Sequence, residues 1–144
     1  MNLEDLRVYK ISMETGQAVW SLVMDWSYFE RDTLGKQVVR SADSIAANIS
    51  EGYGRYSYKE NKRFLYYARG SFNETRTWLV KAEDRSLVSN EAAEEIHSML
   101  DNLGPQLNSY IRSIGSNYVA EPNAEYITDT NGHFYFTDME PNGQ

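Results

Sequence analysis

The sequence predicts an all-α fold: an antiparallel, up-down four-helix bundle followed by a short C-terminal β-hairpin. Three observations predict it. Four segments carry apolar residues at three- and four-residue steps, short links join them, and only the last stretch changes to strand-forming residues around an Asn-Gly pair. The chain divides into a bundle over residues 1–116 and an acidic extension over 117–144, with the hairpin over 126–137.

The first helix is predicted from about Leu3 to Trp26, capped by Asn2, with Asp5 favouring the positive helix start. Leu6, Tyr9, Met13, Gly16, Trp20 and Val23 share its apolar face, and Gly16 would admit close backbone approach. Residues 28–34 break the pattern and read as a connection. The second helix runs from about Gly35 to Glu51, with Val38, Val39, Ala42, Ile45, Ala46 and Ile49 facing the core. Gly52 and Gly54 end it, because glycine accepts the left-handed conformation of a helix C-terminus.

Ser57 and Glu60 have capping-box spacing and open the third helix, which extends to about Asp84. Phe64, Ala68, Ser71, Thr75, Trp78 and Ala82 form its inner face, widened by Leu65, Phe72 and Leu79. After a link over 85–88, Ser89 caps the fourth helix, whose seam is Ile96, Leu100, Leu103, Leu107, Tyr110 and Ile114. Pro105 inside it predicts a kink near Gly104. In the extension, Asn131-Gly132 suits a two-residue type I′ turn, which pairs Ile127 with Phe136 and Thr128 with Tyr135. A lone two-stranded hairpin is marginal in water. An ordered one therefore needs the bundle or a neighbouring subunit to lie on, and a disordered extension is the competing reading.

Composition excludes several classes of function. With no cysteine, there is no disulfide framework, zinc-thiolate site or thiol nucleophile. The acidic, amphipathic start lacks the basic and apolar regions of a signal peptide, and no apolar run approaches a membrane span, so a cytoplasmic protein without membrane contact is expected. The net charge of −7 is uneven. All 14 Lys and Arg lie at or before Arg112, residues 31–85 are net positive, and residues 116–144 carry acidic groups alone. Long-range attraction to nucleic acid is not the default expectation for such a chain.

Chemistry-bearing patterns are sparse. Glu94 and His97 form one Glu-x-x-His, but a di-iron bundle needs two such motifs and two further glutamates, so His97 reads as part of a solvated helix face. No metal, cofactor or catalytic residue is expected, and the chain reads as a non-enzyme. Gly52-Tyr53-Gly54-Arg55 follows a helix, unlike a phosphate-binding loop. Lys62, Arg69 and Arg76 recur every seven residues on the outer side of the third helix, beside Arg55, Lys59 and Arg63. That stripe is either a solvated helix back or a phosphate-contacting surface, with Tyr56, Tyr58, Tyr66 and Tyr67 for stacking. On the second helix Gln37, Ser41, Ser44, Asn48 and Glu51 form a slim polar line suited to close helix–helix contact.

The run Gln37-x-x-Arg40-Ser41-Ala42-x-Ser44-Ile45-x-x-Asn48-Ile49-x-Glu51-Gly52-Tyr53-Gly54-Arg55, then Phe64-Leu65-x-x-Ala68-x-Gly70-Ser71-x-x-Glu74, closely resembles the bacterial four helix bundle protein family, also called the 23S rRNA intervening-sequence protein family. The resemblance covers roughly residues 3–115 and implies an antiparallel four-helix bundle in a ring-forming homopentamer. It implies no settled activity. A distant relation, the accessory bundle protein of diversity-generating retroelements, engages a reverse transcriptase and nucleic acid. The expected function is therefore a homo-oligomeric scaffold or adaptor with a protein partner, and the alternative is an RNA- or DNA-binding accessory protein. Gln37, Arg40, Ser44, Asn48, Glu51, Gly52, Arg55, Gly70, Ser71 and Glu74 are expected to hold helices and subunits together, with Glu51–Arg55 and Arg40–Glu74 as ion pairs.

Overall fold

The computed structural model describes residues 1–115 and 126–136. Four long helices form the bundle: α1 (Arg7–Met24), α2 (Lys36–Tyr53), α3 (Tyr58–Asp84) and α4 (Asn90–Ser113). Sequential helices pack side by side and α4 returns to α1, which is the closed square of an up-down bundle. A short antiparallel hairpin, β1 (Tyr126–Thr128) and β2 (Phe134–Phe136), packs on α3 and α4.

Local chemistry sets the boundaries. Ser57 accepts the Glu60 N–H at 3.2 Å and Ser89 accepts that of Ala92 at 3.1 Å, so both predicted serine caps form. Residues 28–34 are not an open connection. Ser27 and Glu30 build a capping box there, and a helical turn (Tyr28–Glu30) runs through a π-turn (Arg31–Gly35) directly into α2. The first helix begins later than expected, because Leu6 is extended between a 3₁₀ turn at Leu3–Asp5 and α1. Gly54 ends α2 at φ −79°, a right-handed conformation. Gly52 serves close approach: a Cβ there would lie 2.9 Å from the Asn61 carbonyl oxygen.

The core is Val19 and Val23 from α1, Ile45 and Ile49 from α2, Leu65, Phe72 and Leu79 from α3, and Leu100, Leu103 and Leu107 from α4. Two faces are rotated from the expected ones. On α1 the buried stripe is Val8, Ile11, Ser12, Thr15 and Val19, while Met13 and Trp20 stand about half exposed, at 52% and 50%. Ser12 and Thr15 can enter the core because their hydroxyls donate to the Val8 and Ile11 carbonyls, at 2.6 and 2.8 Å. On α3 the centre is the Leu65–Phe72–Leu79 line, and Phe64, Ser71 and Trp78 sit at its edge.

The hairpin register differs by one residue from the expected pairing: Tyr126 opposes Phe136, Ile127 opposes Tyr135 and Thr128 opposes Phe134. Asp129 is the cause. Its Oδ1 accepts the N–H groups of Asn131 (2.8 Å) and His133 (2.9 Å), and its carbonyl accepts that of Gly132 (2.9 Å). The loop is thus a turn with Asp first and Gly fourth, and Gly132, at φ +81°, takes the left-handed position of a three-residue hairpin loop.

Candidate functional site

The motif residues of α2 and α3 do not converge on one site. Gln37, Arg40 and Glu51 are exposed on α2, and Gly70 and Glu74 on α3. Ser44 donates to the Arg40 carbonyl (2.7 Å) and Asn48 to that of Ser44 (2.8 Å), so both serve their own helix. Ser41 makes the cross-helix contact, as its hydroxyl accepts from Thr75 at 2.9 Å in a buried position. Glu51 and Arg55 form the expected ion pair, with the guanidinium also 4.5 Å from the Phe64 ring centre. Arg40 and Glu74 form none among the described residues, and Glu74 accepts the Trp78 indole N–H at 3.2 Å instead. Gly70 has no heavy atom within 4 Å of where a Cβ would sit, and the Ser71 carbonyl, 2.8 Å from the Thr75 hydroxyl, shares that hydroxyl's one proton with Ser41.

The basic stripe is not one surface. Arg55, Lys59 and Arg63 are exposed, and Lys62 and Arg69 are half-buried. Arg69 lies over the rings of Tyr66 and Phe136, 5.1 Å from each centre. Arg76 is fully buried and leaves the stripe altogether. It follows Phe72 by four residues, about 40° around the helix, so it borders the true core face of α3.

Arg76 organises a polar cluster between α3, α4 and the hairpin. Its Nη2 binds Asp101 Oδ1 at 2.5 Å and donates to the Phe134 carbonyl at 3.0 Å. Its Nη1 lies 2.9 Å from His97 Nδ1 and donates to the His97 carbonyl at 3.2 Å. A guanidinium offers donors only, so His97 Nδ1 accepts, and the ring proton sits on Nε2, facing Glu83. The His97 ring stacks on that of His133, with centres 4.0 Å apart, and His133 Nδ1 lies 3.1 Å from Asp101 Oδ2. His97 is therefore a buried member of this cluster and not part of a solvated face; Glu94, its partner in the Glu-x-x-His pattern, is exposed.

Electrostatics follow from these contacts. Burial lowers the His97 pKa, as do His133 and Arg76, and together they outweigh the opposing pull of Glu83. Burial alone would raise Asp101, but the Phe134 N–H, His133 and Arg76 hold its carboxyl below the ordinary value. Among the described residues no group of three or more histidines and carboxylates is arranged to hold a metal ion.

Sequence reasoning missed this cluster, yet one signal was present. His97, Asp101, Gly104 and Asn108 step 4-3-4 beside the apolar seam of α4, the spacing of a second buried stripe. Gly104 leaves room for the Phe134 ring: a Cβ would fall 2.5 Å from its Cδ1.

A second feature is a groove of about 470 Å³ between α1 and α2, lined by Tyr9, Met13, Gly16, Trp20, Ala46 and Ala47 among others. Asp43 leans over Gly16 here, and burial raises its pKa.

The fold and these surfaces define an all-α, antiparallel four-helix-bundle protein with a hairpin held on two of its helices. The chain belongs to the family described as 23S rRNA-intervening sequence protein, which matches residues 4–109. It is similar to the crystal structure of a protein of unknown function from the S23 ribosomal protein family of Bacteroides thetaiotaomicron. The two share 26% identity and a TM-score of 0.66, over 74% of this chain and 99% of that one. No curated protein matches. The hairpin lies beyond the family match. No helix among the described residues is long and apolar enough to cross a membrane.

Proposed function

We propose that this chain is a non-enzymatic, cytoplasmic scaffold that assembles with copies of itself into a ring, five being the number the family resemblance implies. One observation carries the reading. Met13, Trp20 and Met24 each leave about half their surface in solvent along one side of α1, above a groove floored by Gly16, Ala46 and Ala47. Small residues beneath large exposed apolar ones suit a helix from another subunit, and Gln17, Asp43 and Ser50, which also line the groove, offer it hydrogen-bonding groups. The test is the mass of the native chain and of Trp20→Glu by light scattering. The native chain is expected to run as a multiple of 16.6 kDa and the variant at a smaller mass with unchanged helicity. A native monomer, or a variant of native mass, overturns the reading.

A second reading is favoured by a different surface. Around the start of α3, Tyr56, Tyr58, Tyr66 and Tyr67 are exposed and interleave with Arg55, Lys59, Lys62, Arg63 and Arg69. Cations alternating with stacking surfaces are what single-stranded RNA or DNA would use. Arg76 takes no part, so the informative variant is Lys59→Ala with Arg63→Ala. If this surface binds nucleic acid, anisotropy titrations show an affinity that survives physiological salt and drops in the variant. No binding at low salt removes it.

A further inference from the structure

The contacts that hold β2 have the form of peptide recognition. Four main-chain groups of Phe134 and Phe136 meet bundle side chains. Asp101 Oδ1 accepts the Phe134 N–H (3.0 Å) and Arg76 donates to the Phe134 carbonyl (3.0 Å). The Asn73 carboxamide closes a two-point ring with Phe136, accepting its N–H (3.1 Å) and donating to its carbonyl (2.8 Å). Reading N–H and C=O of alternate residues is what a strand edge does when an extended peptide is added to it. Here side chains of two helices do it instead.

Side-chain pockets add selectivity. Phe134 fills the space left by Gly104 and meets Phe72 edge-on, with ring centres 5.9 Å apart. Phe136 meets Phe72 at 5.2 Å and lies under Arg69. Both are nearly fully buried, whereas Tyr135 between them is only partly covered. His133, one residue earlier, stacks on His97. The groove thus accepts His-aromatic-x-aromatic in extended form.

We infer that the α3–α4 groove is a peptide-binding site for this segment, filled by the chain's own β2 in cis and by β2 of a second copy in trans. Each copy carries one such strand and one such groove, so exchange leaves no donor, acceptor or pocket unfilled, which is the condition for low-cost swapping. The tether permits it. Residues 116–125 can span roughly 33 Å when extended, whereas Gly104 lies only about 16 Å back along α4 from Gly115. This inference does not rest on the α1–α2 groove.

Complementation tests it. One full-length chain carries Phe134→Ala and Phe136→Ala, which spoils the strand; the other carries Asn73→Ala and Gly104→Ala, which spoils the groove. Both also carry Trp20→Glu, so that contact through α1 does not contribute. Each alone is expected to be a helical monomer, and the mixture a 1:1 complex. A synthetic peptide of residues 126–137, labelled with a fluorophore, should bind the first chain at least tenfold more tightly than the second. A mixture that stays monomeric overturns the assignment to a second copy, even if the peptide binds. Absence of peptide binding overturns the site itself. Should a variant fail to fold, the native chain with a protease site placed within 117–124 replaces it. Once cut, the released piece should remain bound and exchange with the labelled peptide, and its loss without exchange overturns the inference.

Discussion

Gly104→Ala separates the hairpin from the bundle more cleanly than any other single change. The new methyl carbon would sit 2.5, 2.8 and 3.0 Å from Cδ1, Cε1 and Cγ of Phe134, which is closer than packed carbons approach. The ring cannot simply slide aside, because Phe72 and Phe136 hold it edge-on at 5.9 and 4.8 Å. It must leave its pocket, and losing the burial of one phenylalanine costs about 1.5–3 kcal/mol of docking. The helix itself gains at most about 1 kcal/mol from replacing glycine. That gain shrinks because Gly104 precedes Pro105, and a Cβ before proline disfavours helical backbone. Hydrogen exchange reads the two effects separately. The amides of Phe134 and Phe136 should lose roughly 10- to 150-fold in protection, while those in the middle of α3 and at Leu100 keep theirs. Unchanged or increased protection of the hairpin amides would refute the reasoning.

Three further outcomes follow from the same cluster. Arg76→Ala takes the guanidinium away from the Phe134 carbonyl and from Asp101, which is 32% exposed and keeps the Phe134 N–H and His133, so urea unfolding should show a loss of about 1.5–3 kcal/mol. Asn73→Ala removes both bonds to the Phe136 backbone, and a smaller loss of about 1–3 kcal/mol should appear in hairpin protection with helicity intact. Acid should also loosen the hairpin. His97 faces Arg76 and Glu83 from α3 and His133 from the hairpin, and Asp101 of α4 reaches it only through Arg76 and His133. Its folded pKa is lowered, so the unfolded chain takes up a proton first as pH falls through about 6.5 and stability declines from there. Asp101, also lowered, adds a second loss below its ordinary carboxylate range. Urea midpoints at pH 7.5, 6 and 5 check the sign, and a midpoint that rises on acidification contradicts it.

Helices, serine caps and most core positions were legible because they rest on contacts within a few residues or on period alone. The misplaced face of α1 shows the limit of that signal. Ser12 and Thr15 look like surface residues until their hydroxyls are seen to bond their own helix, and Met13 and Trp20 look like core until those positions are filled. Arg76 and His97 look solvated in the sequence for a different reason. A cation is buried only where partners are supplied, and one of them, the Phe134 carbonyl, comes from 58 residues further along the chain. The hairpin's existence was readable from Asn-Gly between aromatic runs, but its register was set by the Asp129 side chain, whose signal is Asp three residues before Gly.

Sedimentation equilibrium of the native chain at micromolar concentrations tests the central claim, self-assembly, most directly. The account predicts a single species at a multiple of 16.6 kDa, five being the expected number. A mass of one chain across the whole concentration range would contradict it.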